Sequence, residues 1–125
     1  MIIGIGTDIL EVSRIASNMR KQRFCLRIFT EEELKYCSGK PMETAAGLFA
    51  AKEAAVKAAG VGFTGFWPCD VEIMRDASGK PVVCPRGVFK EICDSKQIIF
   101  HVSISHTKDI AIATAIAETA EGANL

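Results

Sequence analysis

Glu53 and Lys57 stand four residues apart in an alanine-rich stretch, so a helix there places both side chains on one face. An isolated Glu/Lys pair at this spacing adds about 0.2–0.5 kcal/mol to an exposed helix and carries no chemistry. Two features set this pair apart. Lys52, Glu53 and Lys57 lie in a segment otherwise made of Ala, Val, Leu and Phe, which leaves little solvated face beside them. Asp8 ends the glycine-rich apolar segment that begins at Ile2, a place where a lone carboxylate often marks a site. Two carboxylates from separate elements can hold a hard divalent cation such as Mg²⁺, which takes oxygen ligands and keeps places for water and substrate phosphate. A nearby lysine then neutralises remaining phosphate charge. Asp8, Glu53 and Lys57 form a candidate metal-plus-phosphate site, although spacing alone does not force Asp8 next to Glu53.

A second candidate is Ser103-Ile104-Ser105-His106, leading into a turn at Thr107-Lys108-Asp109. A histidine in such a turn is either structural or a ligand or catalytic group. With Cys84 or Ser105 as nucleophile it would give a small hydrolase. Against that, Ser105 and His106 are neighbours in a strand and face opposite ways, and neither serine lies in a G-x-S-x-G elbow. Gly60-Val61-Gly62 lacks the lysine of a P-loop and the dinucleotide fingerprint.

The elements that must position these groups follow from periodicity and punctuation. Ile2 to Asp8 predicts a strand with Ile3, Ile5 and Thr7 on one face and Gly4, Gly6 and Asp8 on the other, where two glycines let another element come close. Ser13 is placed to cap a basic amphipathic helix running to about Arg23. Thr30-Glu31-Glu32-Glu33 matches a capping box opening a short helix that ends near Ser38-Gly39. Pro41 suits the start of a longer helix, Met42 to Ala59, with Gly60 at its exit. Asp70–Arg75 and Pro81–Val83 flank the turn Asp76-Ala77-Ser78-Gly79 as a hairpin, and a short helix is expected over Pro85–Asp94. Ile98–Ser105 and Ile110–Glu118 form a second hairpin, and a frayed tail is expected from Gly122. This order predicts one α+β domain over residues 1–125, with antiparallel pairing and no internal repeat or linker.

Composition narrows the class. The chain has 125 residues, 49% of them hydrophobic, and its 15 Lys+Arg balance 15 Asp+Glu, as expected for one soluble domain with a core that needs no staples. Zero net charge argues against general nucleic-acid binding. No apolar run approaches the roughly 18 residues needed to cross a bilayer, and Met1-Ile2-Ile3-Gly4 has no basic leader, so neither a membrane protein nor a secreted one is expected. Five cysteines, an odd number without a C-x-x-C pair, read as reduced thiols of a cytoplasmic protein. Charge is nevertheless uneven: Arg14, Arg20, Lys21, Arg23 and Arg27 fall in a stretch, Ser13 to Ile28, without one acidic side chain. It is either a solvated face or a docking surface for an acidic partner.

Ile3-Gly4-Ile5-Gly6-Thr7-Asp8-Ile9 with Glu11 and Arg14, then Phe29-Thr30-Glu31-Glu32-Glu33, then Phe49-Ala50-Ala51-Lys52-Glu53-Ala54-Ala55-Val56-Lys57-Ala58, then Val102-Ser103-Ile104-Ser105-His106, occur in this order. In this combination the chain resembles the holo-acyl-carrier-protein synthase family, the small bacterial type of 4′-phosphopantetheinyl transferase. Phe49 stands where many members carry Trp, and the segment after Arg14 lacks the proline and regular basic spacing some show. The resemblance implies that fold, with an antiparallel sheet, a long helix packed on it and a site at the interface of a homotrimer. It implies transfer of phosphopantetheine from coenzyme A to a serine of apo acyl carrier protein, releasing adenosine 3′,5′-bisphosphate, in fatty acid biosynthesis. It further implies Mg²⁺ on Asp8 and Glu53, Lys57 on phosphate oxygens, and coenzyme contacts from Ser105, His106, Lys80 and Pro81, the last three reaching a neighbouring subunit's coenzyme. Arg14, Arg20, Lys21 and Arg23 would dock the acidic carrier.

In such a reaction the serine oxygen attacks the β-phosphorus against the charge of the pyrophosphate, which Mg²⁺ and Lys57 offset. The serine proton goes to Glu53, directly or through a metal-held water. The rivals are a non-catalytic trimeric binding module, which the intact Asp8, Glu53 and Lys57 set disfavours, and the small cysteine hydrolase.

Overall fold

A computed structural model of the chain describes residues 1–120; the tail expected from Gly122 lies outside the described residues. The elements in chain order are β1 (Ile2–Glu11), α1 (Val12–Asn18), α2 (Gln22–Ile28), α3 (Glu31–Cys37), α4 (Met42–Ala59), a short 3₁₀ turn (Pro68–Asp70), β2 (Val71–Arg75), β3 (Pro81–Pro85), α5 (Gly87–Lys96), β4 (Ile98–His106) and β5 (Ile110–Thr119). An antiparallel sheet of order β1-β5-β4 stands beside a separate antiparallel hairpin, β2-β3. This is the expected α+β arrangement, with the long helix α4 across the larger sheet.

Alanine explains how α4 lies so close to that sheet. β5 turns Ala111, Ala113, Ala115 and Ala117 inward, and α4 answers with Ala50, Ala51, Ala54, Ala55 and Ala58, all of them buried. On β1 the approach is closer still. A Cβ on Gly4 would collide with the Ala58 carbonyl, and one on Gly6 with the Ala54 carbonyl, the Ala58 nitrogen and Lys57 Cβ. Neither glycine needs a left-handed backbone. What they supply is room, so the strand seats directly on the helix.

A polar clamp holds the opposite side of α4. The capping box at Thr30 forms as expected: Glu33 N–H donates to Thr30 Oγ1, and Thr30 N–H donates to Glu33 Oε1 at 2.9 Å. Glu33 is then buried and paired with Lys52, whose Nζ donates to Glu33 Oε1 at 2.7 Å, to the Val71 carbonyl at 2.9 Å and to the Pro68 carbonyl at 3.2 Å. The Ile73 N–H donates to Glu33 Oε2 at 2.8 Å. Burial lowers the pKa of the Lys52 ammonium, and Glu33 pulls it back up. Glu72, also buried, accepts from Thr30 Oγ1 and from Arg86 Nε at 2.8 Å. The remaining core is aromatic, with Phe66, Phe89 and Phe100 in a chain of ring contacts beside α5.

Four expectations need correction. The basic helix expected from Ser13 to Arg23 is two helices. Strand pairing runs to Glu11, and the Val12 N–H donates to the Asp109 carbonyl at 2.8 Å, so α1 starts at Val12 and Ser13 lies inside it rather than capping it. Asn18 Nδ2 then takes the Arg14 carbonyl at 2.9 Å, and the chain extends at Lys21 before α2 begins. Pro85 ends β3, pairing with Val71, and the last helix starts at Gly87. A register shift between Ile2 and Gly4 turns Ile3 onto the core instead of keeping it with Ile5 and Thr7. β1 also runs on to Glu11, so Asp8 lies inside the strand and not at its end.

Among the described residues no helix is long and apolar enough to cross a membrane. If β1 is seated by the missing Cβ atoms, Gly6→Ala destabilises the protein by about 1–3 kcal/mol, the usual range for overpacking. The loss is to be read from denaturant unfolding midpoints at unchanged slope.

Candidate active site

Seating β1 on α4 brings together the residues that sequence spacing left apart. Asp8 follows Gly6 on the helix-facing side of β1, and Glu53 and Lys57 share the face of α4 that meets it. Lys57 Nζ donates to the Thr7 carbonyl at 2.9 Å and to Asp8 Oδ1 at 3.3 Å. Asp8 and Glu53 line one cleft of about 450 Å³ with Leu10, Arg14, Phe24 and Phe49. A second cavity of about 540 Å³ opens on the far side of Phe24 and Phe49 and shares Glu53, with Lys21, Arg23, Arg27, Phe63, Trp67 and Pro68 around it. The Phe24 and Phe49 rings stack with centroids 6.3 Å apart between the two.

Burial raises the pKa of the Glu53 carboxyl, the negative charge of Asp8 raises it further, and Lys57 only partly offsets them. Two carboxylates and one lysine in a half-buried cleft leave room for added positive charge. The donors are oxygen, as a hard cation requires. Among the described residues there is no group of three or more His, Cys, Asp or Glu able to enclose a metal. The site therefore fits an ion that keeps water and takes substrate oxygens, such as Mg²⁺, and does not fit a cation caged by protein alone.

The other expected site residues lie elsewhere in the chain. His106 ends β4 with its ring against Gly47 of α4, and Ser105 faces the outer side of the sheet. Lys80 borders a small pocket with His101, Ser103 and Ile116, and Pro81 opens β3. None of the four lines the Asp8–Glu53 cleft. Of the basic residues, Arg14 reaches that cleft and Lys21 and Arg23 the adjoining cavity, whereas Arg20 lines neither. Phe24, Phe63 and Trp67 were not singled out from sequence. The sequence signal for Phe63 and Trp67 is an aromatic cluster after the glycine loop that follows α4; Phe24, in α2, has none.

The hydrolase reading has no support in this geometry. The Cys84 thiol is pushed up by burial and by Glu72, the reverse of what a nucleophile needs. All five cysteines are unpaired.

Comparison with known proteins decides the family. A profile of the 4′-phosphopantetheinyl transferase superfamily matches residues 4–115, the span from the β1 glycines through most of β5. The chain belongs to that superfamily. Holo-[acyl-carrier-protein] synthase from Clostridium tetani is 45% identical over 122 residues, covering 94% of this chain and 97% of that one. The crystal structure of holo-[acyl-carrier-protein] synthase from Neisseria meningitidis superposes with a TM-score of 0.85 at 38% identity, covering 95% of this chain and all of the other. That from Bacillus anthracis, in complex with coenzyme A (3′,5′-ADP), gives a TM-score of 0.79 at 37% identity over 96% of this chain and 99% of its own. In this member of the transferase superfamily, Asp8 and Glu53 lie where β1 meets α4.

A carboxylate whose pKa folding raises costs stability as pH climbs from the ordinary glutamate range toward the raised native value, because the unfolded chain then releases the proton more readily. In chelator at neutral pH, Glu53→Gln therefore melts at a higher temperature than wild type. The gain disappears below about pH 4, where Glu53 is protonated in both states.

Proposed function

We propose that the cleft between β1 and α4 transfers the 4′-phosphopantetheine group from coenzyme A to a serine of apo acyl carrier protein, giving holo carrier and adenosine 3′,5′-bisphosphate, within a single domain. The observation that carries this reading is the convergence of Asp8, Glu53 and Lys57, with Asp8 bound to Lys57 and raising Glu53. Asp8 and Glu53 would hold Mg²⁺, which when bound neutralises the pyrophosphate and its leaving oxygen. Lys57, half exposed, directs two ammonium protons at the Thr7 carbonyl and Asp8 and has the third to offer to a phosphate oxygen. As the serine oxygen bonds to phosphorus and the bond to adenosine bisphosphate breaks, the serine proton passes to Glu53, directly or through a water.

The carrier docks on the basic side of this cleft. Lys21, Arg23 and Arg27 rim an aromatic-lined cavity beside Glu53, and Arg14 stands at the Asp8 end. Cations around an apolar floor suit an acidic protein that also presents apolar side chains.

The site is completed by assembly into a homotrimer. The face of the larger sheet opposite α4 exposes Ile5 at 68% and Ile9 at 64%, with Ile99, Ile110 and Ile112 beside them. Such an isoleucine face supports a subunit interface. Ser105 lies on that face, and Lys80 borders a pocket at its rim with His101 and Ser103. That position suits Ser105, Lys80 and Pro81 to coenzyme bound by the neighbouring subunit, whereas His106, with its ring on the α4 side against Gly47, would reach it only from the end of β4. Unpaired thiols fit a cytoplasmic setting.

The reaction is tested by weighing an apo carrier after incubation with coenzyme A and Mg²⁺: one added phosphopantetheine supports it, and an unchanged mass refutes it. Asp8→Asn lowers turnover by about 10²–10³, the usual cost of one electrostatic contact at a charge-developing site. Near-full activity of that variant at limiting Mg²⁺ would remove Asp8 from the site. Arg14→Glu raises the KM for the carrier far more than that for coenzyme A, an effect that shrinks with salt as the screening length falls below about 8 Å.

A further inference from the structure

Lys52 is fully buried at 0% exposure and takes no part in the proposed chemistry, yet it directly precedes Glu53. One residue along a helix is a rotation of about 100°, so the same turn of α4 points Glu53 into the cleft and Lys52 toward the second layer. All three ammonium hydrogens of Lys52 are used, on Glu33 Oε1, the Pro68 carbonyl and the Val71 carbonyl. Pro68 is itself part of the wall of the cavity shared with Glu53, and Trp67 adjoins it. The segment leading to that wall, residues 61–67, has no regular structure. It is held by Val61 N–H on the Val56 carbonyl at 3.3 Å, Asp70 N–H on the Trp67 carbonyl at 2.9 Å, Trp67 N–H on Asp70 Oδ2 at 3.3 Å, the Arg27 guanidinium over the Trp67 ring at 4.6 Å, and Phe66 packed on Phe63 and Phe89.

We propose that Lys52 is a positioning residue, which ties the Trp67–Pro68 wall to the turn of α4 that carries Glu53 and thereby sets the width of the cavity in which the carrier seats. This rests on the transferase reading above. Packing alone could fill the volume of Lys52, and apolar replacements of buried ion pairs are commonly tolerated. A methionine stem, however, offers the Pro68 and Val71 carbonyls no donor, and the turn loses its direction toward α4. Glu33 fixes the ammonium from the other side, held in turn by the Thr30 and Ile73 N–H groups.

Lys52→Met alone leaves the Glu33 carboxylate buried and unpaired, so the test uses Lys52→Met combined with Glu33→Gln, which removes both charges and leaves the introduced amide oxygen to accept from the Ile73 N–H. Trp67 is the only tryptophan and stands 53% exposed, so its acrylamide quenching reports the wall directly, without substrates. In a cooperatively folded double variant, Trp67 quenching and anisotropy change. The KM for the carrier rises about tenfold, the effect of losing one well-placed anchor, while that for coenzyme A stays within about twofold. Unchanged Trp67 signals with unchanged KM values overturn the proposal, as does a loss confined to kcat. Should the double variant not fold, Lys52→Arg decides. It keeps the charge but puts a larger fork in the place of the ammonium, so it must displace Trp67 and raise the carrier KM, and no change in either overturns the proposal. Wild-type transfer to the carrier tests the transferase reading separately, because the quenching measurement needs no activity.

Discussion

Two missing Cβ atoms govern this molecule. Gly4 and Gly6 let β1 lie against the backbone of α4 at Ala54 and Ala58, where any side chain would collide. That contact sets the offset between strand and helix, and the offset decides which strand residue faces Glu53. Asp8 comes two positions after Gly6, on the same side of the pleat, so the glycine pair delivers the carboxylate to its partner. The alanines of β5 extend the same close packing across the sheet. Stability and function rest on one geometric fact: the stretch of strand that has no side chains on its inner face, at Gly4 and Gly6, is both the seat for the helix and the bridge to the site.

α4 is held from both sides, by different physics. Toward the larger sheet the contact is steric and apolar. Toward the hairpin β2-β3 and α3 it is a buried ion pair with every hydrogen of Lys52 used. The acidic cleft opens where these two attachments leave a gap, walled by Phe24 and Phe49. The site itself opposes folding, since Glu53 is disfavoured as a carboxylate both by burial and by Asp8. That cost is what a cation with a phosphate-bearing substrate would relieve.

The sequence made much of this legible. The α4 boundaries, the capping box at Thr30 and both hairpins followed from punctuation and period, and the glycine face of β1 correctly pointed to a close neighbour. What it could not supply was the neighbour's identity, because the link between Asp8 and Glu53 runs through contacts 48 residues or more apart along the chain, such as Gly6 on Ala54, and no local rule encodes them. The split of the basic segment was hidden for a related reason. Asn18 looks like any polar residue on a helix face until its amide is seen closing the Arg14 carbonyl, and strand pairing with β5 had already displaced the expected cap. Glu33 and Lys52 were visible singly, as a capping residue and as an odd lysine among alanines. Their pairing is tertiary.

The dependence of the site on that seated strand is measured most directly by a double-mutant cycle on Asp8→Asn and Glu53→Gln, read as kcat/KM for the carrier at saturating Mg²⁺. If β1 and α4 present the two carboxylates as one unit, the double variant is about as slow as the slower single variant, since residues acting together lose their function once. Losses that multiply would show two carboxylates working independently, and would contradict a site built by the seating of β1 on α4.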